Sequence, residues 1–156
     1  MINGQWIGRL SGTNAGDVIL ELDNLRTHYE GVAYFYDADP SGLSFFAQIH
    51  APMNSEEFEL SLRLFPIHPQ TGNPTDWSEI CKIFPAELVP RMATSRWRVG
   101  SDEIAVEWKT EIGTAGAVKL PRSRNDTAPS VSSTSMSWRE FSAYVRDLEP
   151  YQRIFR

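Results

Sequence analysis

The sequence predicts a mainly β protein: an antiparallel up-and-down barrel of seven or eight strands, with one short inserted helix and a C-terminal helix. A β-sandwich is the alternative way to close the same strands. Three observations lead there. Apolar residues alternate with polar ones over most of the first 122 positions, the mark of strands with one buried and one wet face. Gly, Asn, Asp and Pro punctuate the alternation about every 10 to 14 residues, a spacing suited to an antiparallel meander. Aromatic residues make up 12% of the chain, five of them Trp, and large rings favour well-filled sheet faces.

The elements follow in order. QWIGRLSG opens the first strand, TNAG turns it, and DVILELDNL places Val18, Leu20 and Leu22 on one face. HYEGVAYFY is followed by the turn DADPSG and the strand LSFFAQIH. In EEFELSLRLF, Phe58, Leu60, Leu62 and Leu64 alternate with Glu57, Glu59, Ser61 and Arg63. The meander then breaks at PIHPQTGNP, a Pro- and Gly-rich loop. Asp76 follows as an N-cap, with Glu79 as its capping-box partner. Trp77, Ile80 and Phe84 share one helical face, and Pro85 ends a helix expected to cover an open end or edge of the sheet. Strands resume with SRWRVG, then EIAVEWKTEI with Ile104, Val106 and Trp108 aligned, and finish with AVKLPR after the turn GTAG. A sheet of this size closes on itself, and sequential hairpins favour the barrel.

Charge and cysteine usage exclude several functions. The net charge of −5 argues against sequence-independent nucleic-acid binding, which works by counterion release from Lys and Arg contacts. Residues 1–62 hold two basic and nine acidic side chains, while 63–124 hold nine and seven. Arg91, Arg96 and Arg98 belong to that second half, and the plain reading is a solvated strand face. The single Cys81 permits no internal disulfide; with no secretory leader evident, the expectation is a reducing cytoplasm. No apolar run approaches the roughly 18 residues that span a bilayer, so no membrane association is expected.

Signatures of chemistry are sparse. Asp37 to Gly42 resembles half of a calcium loop, but Gln48 stands where the bidentate carboxylate belongs, leaving a hairpin turn. His28 and Glu30 share a strand face in the His-x-Glu half of a zinc deaminase motif, without its Pro-Cys-x-x-Cys half. His50 and His68 lack ligand spacing, so neither a metal nor a cofactor is expected. Phosphate loops, nucleophile elbows and dinucleotide fingerprints are missing. Cys81, beside Ile80 and Ile83, reads as a buried structural thiol. Glu56, Glu57 and Glu59 read as a wet strand face. Trp6, Trp97 and Trp108 either line a ligand cavity or fill the barrel. No catalytic residue is assigned.

Beyond about residue 124 the pattern changes. SRNDTAPSVSSTSM is polar and Ser/Thr-rich, a composition that buries too little to offset its ordering entropy. The expected organisation is a β-barrel domain at 1–124, a flexible linker at 125–136, and a helix and strand at 137–156. Ser137 and Glu140 form a second capping box, and Trp138, Phe141, Val145 and Leu148 make an apolar stripe closed by Pro150. Burying those four side chains is worth on the order of 6–10 kcal/mol before ordering costs, enough to drive a homodimer through this helix.

The ending SMSWREFSAYVRDLEPYQRIFR resembles the opening of the FRG domain, a Ser-Trp-x-x-Phe helix followed by a Phe-Arg-Gly strand. Ser137, Trp138 and Phe141 match the helix; Phe155 and Arg156 match the first two letters of the strand. The resemblance covers about 20 of 156 residues. It implies the front part of a longer bacterial or phage protein, and a family mostly without assigned function. At the other end, Gly4-Gln5-Trp6 is similar to the Gly-x-Trp opening of lipocalins, which implies a small-ligand barrel. Later lipocalin motifs and a Cys pair are lacking. The function expected is a non-catalytic recognition or sensing module of an FRG-domain protein, with a protein or small molecule as partner. A lipocalin-like ligand-binding barrel is the alternative.

Overall fold

In the computed structural model, which describes residues 1–124, alternation becomes nine strands of one antiparallel sheet. They are β1 (Gly4–Gly12), β2 (Gly16–Asn24), β3 (His28–Asp37), β4 (Ser44–Pro52), β5 (Glu57–Arg63), β6 (Phe65–Ile67), β7 (Met92–Val99), β8 (Glu103–Thr110) and β9 (Ala115–Arg124). Their spatial order is β5-β7-β8-β9-β1-β2-β3-β4-β6. The two ends of that order, β5 and β6, are pieces of one run parted only by Leu64. β5 pairs with β7 on one side, and β6 pairs with β4 on the other. Counting that run once, eight staves close into a ring, and each hydrogen-bonds to its neighbours in sequence, with β9 returning to β1. The up-and-down barrel is thus the observed architecture, and the sandwich is not.

The closure is uneven. Seven ladders hold six to nine paired positions, whereas β4 and β6 share only Ser44↔Ile67, Phe45↔Pro66 and Phe46↔Phe65. Beyond those pairs β4 runs alongside β5 without a ladder.

Period two decides which side chains meet. Val18, Leu20 and Leu22 point inward, as do Ala33, Ala47, Ile49, Leu62, Ile104, Val106, Val118 and Leu120. Trp6 and Trp97 fill the interior, with Trp6 fully buried. The ring accommodates them because β3 and β4 turn small residues inward, namely Gly31, Ala33, Ala47 and Ala51. Pairing large with small residues lets side chains fill a small barrel. Ile19, Val32, Tyr34, Phe46 and Phe65 form a second apolar cluster on the opposite face of β2, β3, β4 and β6.

One end of the ring is shut. Trp6 Nε1 donates to the Ile2 carbonyl at 3.0 Å, folding the first residues across the opening. The Arg122 guanidinium lies 4.1 Å from the Trp6 ring centroid. Arg122 also donates to the carbonyls of Asn3, at 2.6 Å, and Met1. The strands leave the other end open, and the long connection between β6 and β7 hangs from that side. Its helix α1 (Trp77–Ile80) spans four residues, shorter than the spacing from Trp77 to Phe84 implied, and a 3-10 turn at Ala86–Leu88 follows. Asp76 caps α1 by accepting from the Glu79 N–H at 2.8 Å, and the Glu79 carboxylate binds Lys82 at 3.0 Å. No helix among the described residues is long and apolar enough to cross a membrane. The expected linker at 125–136 and the helix and strand at 137–156 lie outside the described residues.

Candidate functional site

The open mouth is built from strand ends. Leu10 of β1, Phe35 and Tyr36 of β3, Phe45 of β4, Leu62 and Ala93 line an apolar cleft of about 80 Å³, with Pro90 and Thr114 at its edge. Trp108 stands between this cleft and a second space of about 30 Å³ deeper in the barrel. Its cross-strand partner is Gly116, and the absence of a side chain there decides the ring's position. A Cβ on Gly116 would meet Trp108 Cζ2 at 2.7 Å and the Ser11 carbonyl at 2.0 Å.

Indole N–H groups need acceptors when enclosed. Trp6 donates to Ile2, Trp97 to Ser95 Oγ at 2.8 Å, and Trp77 to the Val89 carbonyl at 3.2 Å. Ser95 passes the chain on to the Leu60 carbonyl at 3.0 Å, so Trp97 sits in a satisfied network. Trp108 Nε1 is buried and has no acceptor among the described residues. A donor left in that state costs about 1–3 kcal/mol. An apolar cleft is thus lined by a ring whose donor is unused.

The outer face of β5, β7 and β8 is charged on both signs. Arg96 pairs with Glu59 at 3.2 Å and Arg98 with Glu57 at 3.4 Å, all four exposed. Arg91 lies over the Trp77 ring at 4.7 Å. Arg91, Arg96 and Arg98 are thus engaged with carboxylates or an aromatic face. The Glu111 carboxylate takes the backbone N–H groups of Arg91 and Met92, capping the start of β7. Cys81 is half-buried instead of fully buried, and desolvation raises its thiol pKa against the pull of Arg91, the reverse of an activated nucleophile. The segment from Asp37 to Gly42 is a hairpin turn: Asp37 and Asp39 carboxylates accept the N–H groups of Asp39 and Ser41 at 2.8 and 2.9 Å.

Near the shut end, the outer faces of β3 and β4 bring three polar groups together. Register places Glu30 opposite His50, with His28 two residues along the same strand face. His28 Nε2 is 2.9 Å from Glu30 Oε1, and His50 Nδ1 is 3.7 Å from the same oxygen. The two imidazoles stack with centroids 4.1 Å apart. His28 Nδ1 lies 2.8 Å from Thr27 Oγ1. The spacing of 28 and 30 was visible in the sequence as half a motif. His50 joins them only through the hairpin register, which the turn at Asp37 to Gly42 sets. His68 stays apart, accepting the Gln70 N–H at 3.2 Å.

Of the residues singled out from the sequence, Trp6 and Trp97 fill the barrel and Trp108 borders the mouth. Glu57 and Glu59 lie on the wet face of β5, and Glu56 is exposed in the bend just before it. Ser137, Trp138, Phe141, Phe155 and Arg156 lie outside the described residues. Comparison of the chain with protein-family models, with curated proteins and with solved structures returned no match.

Proposed function

We propose that the barrel is a non-catalytic recognition module whose ligand presents an apolar group and a hydrogen-bond acceptor to the open mouth. The unused Trp108 N–H carries this reading. A group that fills the cleft beside Phe35, Phe45 and Leu62 would bring its carbonyl or carboxylate oxygen to that donor. In such a site the walls supply affinity and the single polar contact supplies orientation. Ser137, Trp138, Phe141, Phe155 and Arg156 supply the link to an FRG-type downstream region, so the module would sense on behalf of whatever that region does. The lipocalin-like alternative asks for a ligand inside the ring. The enclosed interior space of about 30 Å³ has room for little more than a water molecule. The cleft at the mouth lies at the surface and need not enclose what it binds, so we place recognition at the mouth.

The test is an indole ¹⁵N–¹H spectrum of the full chain titrated with N-acetyl-leucinamide and with hexanoate. The Trp108 signal, assigned by Trp108→Phe, moves downfield as an acceptor arrives while those of Trp6 and Trp97 stay in place. A Trp108 signal that ignores both probes, or that already shows a hydrogen bond to trapped water, refutes the mouth as the recognition site.

A further inference from the structure

The geometry points to a divalent transition-metal site of the zinc class at His28, Glu30 and His50, on the outer face of the barrel and at the end opposite the mouth. One donor atom from each residue lies within 4.8 Å of the other two. Two imidazoles and one carboxylate form a donor set that suits zinc and its late first-row neighbours and that magnesium and calcium, which take oxygen ligands, do not favour. Donors around a tetrahedral zinc ion sit about 3.3 Å apart. The distances from Glu30 Oε1 to His28 Nε2 and His50 Nδ1, 2.9 and 3.7 Å, bracket that figure. Three protein ligands leave the fourth position to water.

The surroundings are those of a metal ligand set. Thr27 Oγ1 lies against His28 Nδ1 and can accept the proton that a metal-bound imidazole keeps, which fixes the ring with Nε2 toward the ion. His28 and Glu30 are held two residues apart on one strand, so their side chains project from a rigid ladder. The stacked rings need one adjustment, because parallel imidazole planes cannot both aim a lone pair at one ion. His50 supplies it: its side chain is 70% exposed, against 24% for His28, so it is free to turn. Metal binding thus exchanges the ring stack for a shared ion and ties β3 to β4 near the shut end.

The experiment is a calorimetric titration of the full chain with Zn²⁺ alone, repeated for His28→Ala, Glu30→Gln, His50→Ala and the control His68→Ala. The expected result is one ion per chain, with affinity reduced at least tenfold by each of the first three changes and unchanged by the control. ¹⁵N imidazole shifts add a second readout: His28 is metallated at Nε2 and His50 at Nδ1. Circular dichroism verifies folding, and the exposed position of His50 makes His50→Ala the decisive variant if His28→Ala fails to fold. The inference is overturned if no binding tighter than millimolar is seen, leaving the cluster as a hydrogen-bonded surface group. It is equally overturned if binding survives His50→Ala undiminished, or persists in the His28→Ala/His50→Ala double variant.

Discussion

Replacing Trp108 by Phe should cost the protein much less than the same change at Trp97. Both substitutions shrink a bicyclic indole to one phenyl ring. The buried Trp97 loses at least as much apolar packing as the half-buried Trp108, which adds to the difference made by the N–H. At Trp97 the N–H is bonded to Ser95 Oγ, and Ser95 in turn to Leu60, so Trp97→Phe forfeits a net hydrogen bond worth about 1 kcal/mol. At Trp108 the N–H is enclosed without an acceptor, so Trp108→Phe removes a desolvated donor that costs about 1–3 kcal/mol. The two variants should therefore differ by about 2–4 kcal/mol, with Trp108→Phe the more stable. For a urea slope of about 2 kcal/mol/M this is a separation of about 1–2 M in midpoint. Denaturation of the full chain, followed by circular dichroism, reads it directly. Equal midpoints would mean that Trp108 already donates to something, and the argument for an acceptor-bearing ligand would collapse.

Two further outcomes can be checked on the same footing. Arg122→Ala removes the guanidinium stacked on Trp6 and its bonds to Asn3 and Met1; a loss of about 2–3 kcal/mol in urea denaturation is expected. Arg122→Lys should restore only part of that loss, because an ammonium cannot stack and fork at once. The third outcome concerns alkaline pH. Burial raises the pKa of Tyr34 strongly, aided by Tyr36 and Glu21, and burial likewise raises that of Tyr36. A raised folded pKa means that the unfolded chain releases its phenolic proton first. The stability tied to these protons is therefore complete below the ordinary tyrosine pKa near 10 and declines as pH rises beyond it. Tyr34, mostly buried, should contribute a slope of about 1.4 kcal/mol per pH unit there. Urea midpoints between pH 8 and 11 test the slope, and Tyr34→Phe should flatten it.

Strand content and facing were legible because period two is a local signal. Val18, Leu20 and Leu22, or Ile104 and Val106, declare an inner face without knowledge of any neighbour. Ring closure was legible only as a tendency, since its agent is the switch of pairing at Leu64, where EEFELSLRLF looks like one uninterrupted strand. The helix was overextended because Trp77, Ile80 and Phe84 keep helical spacing across a chain that leaves α1 at Ile80. The mouth was partly visible: Trp108 stood out as an aromatic facing inward, but whether its N–H finds an acceptor depends on residues far away in sequence. The cluster of His28, Glu30 and His50 required register, a relation between two strands that neither strand encodes alone.

The three-pair ladder between β4 and β6 makes the ring mechanically anisotropic. Along the rest of β4 the wall can part from β5 without breaking a ladder hydrogen bond, whereas every other joint must unzip at least six paired positions. The molecule therefore resembles a split hoop more than a rigid tube, and exchange of interior solvent should concentrate along that slit. Changes in the ring's girth would be absorbed there, leaving the Trp6–Arg122 seal undisturbed.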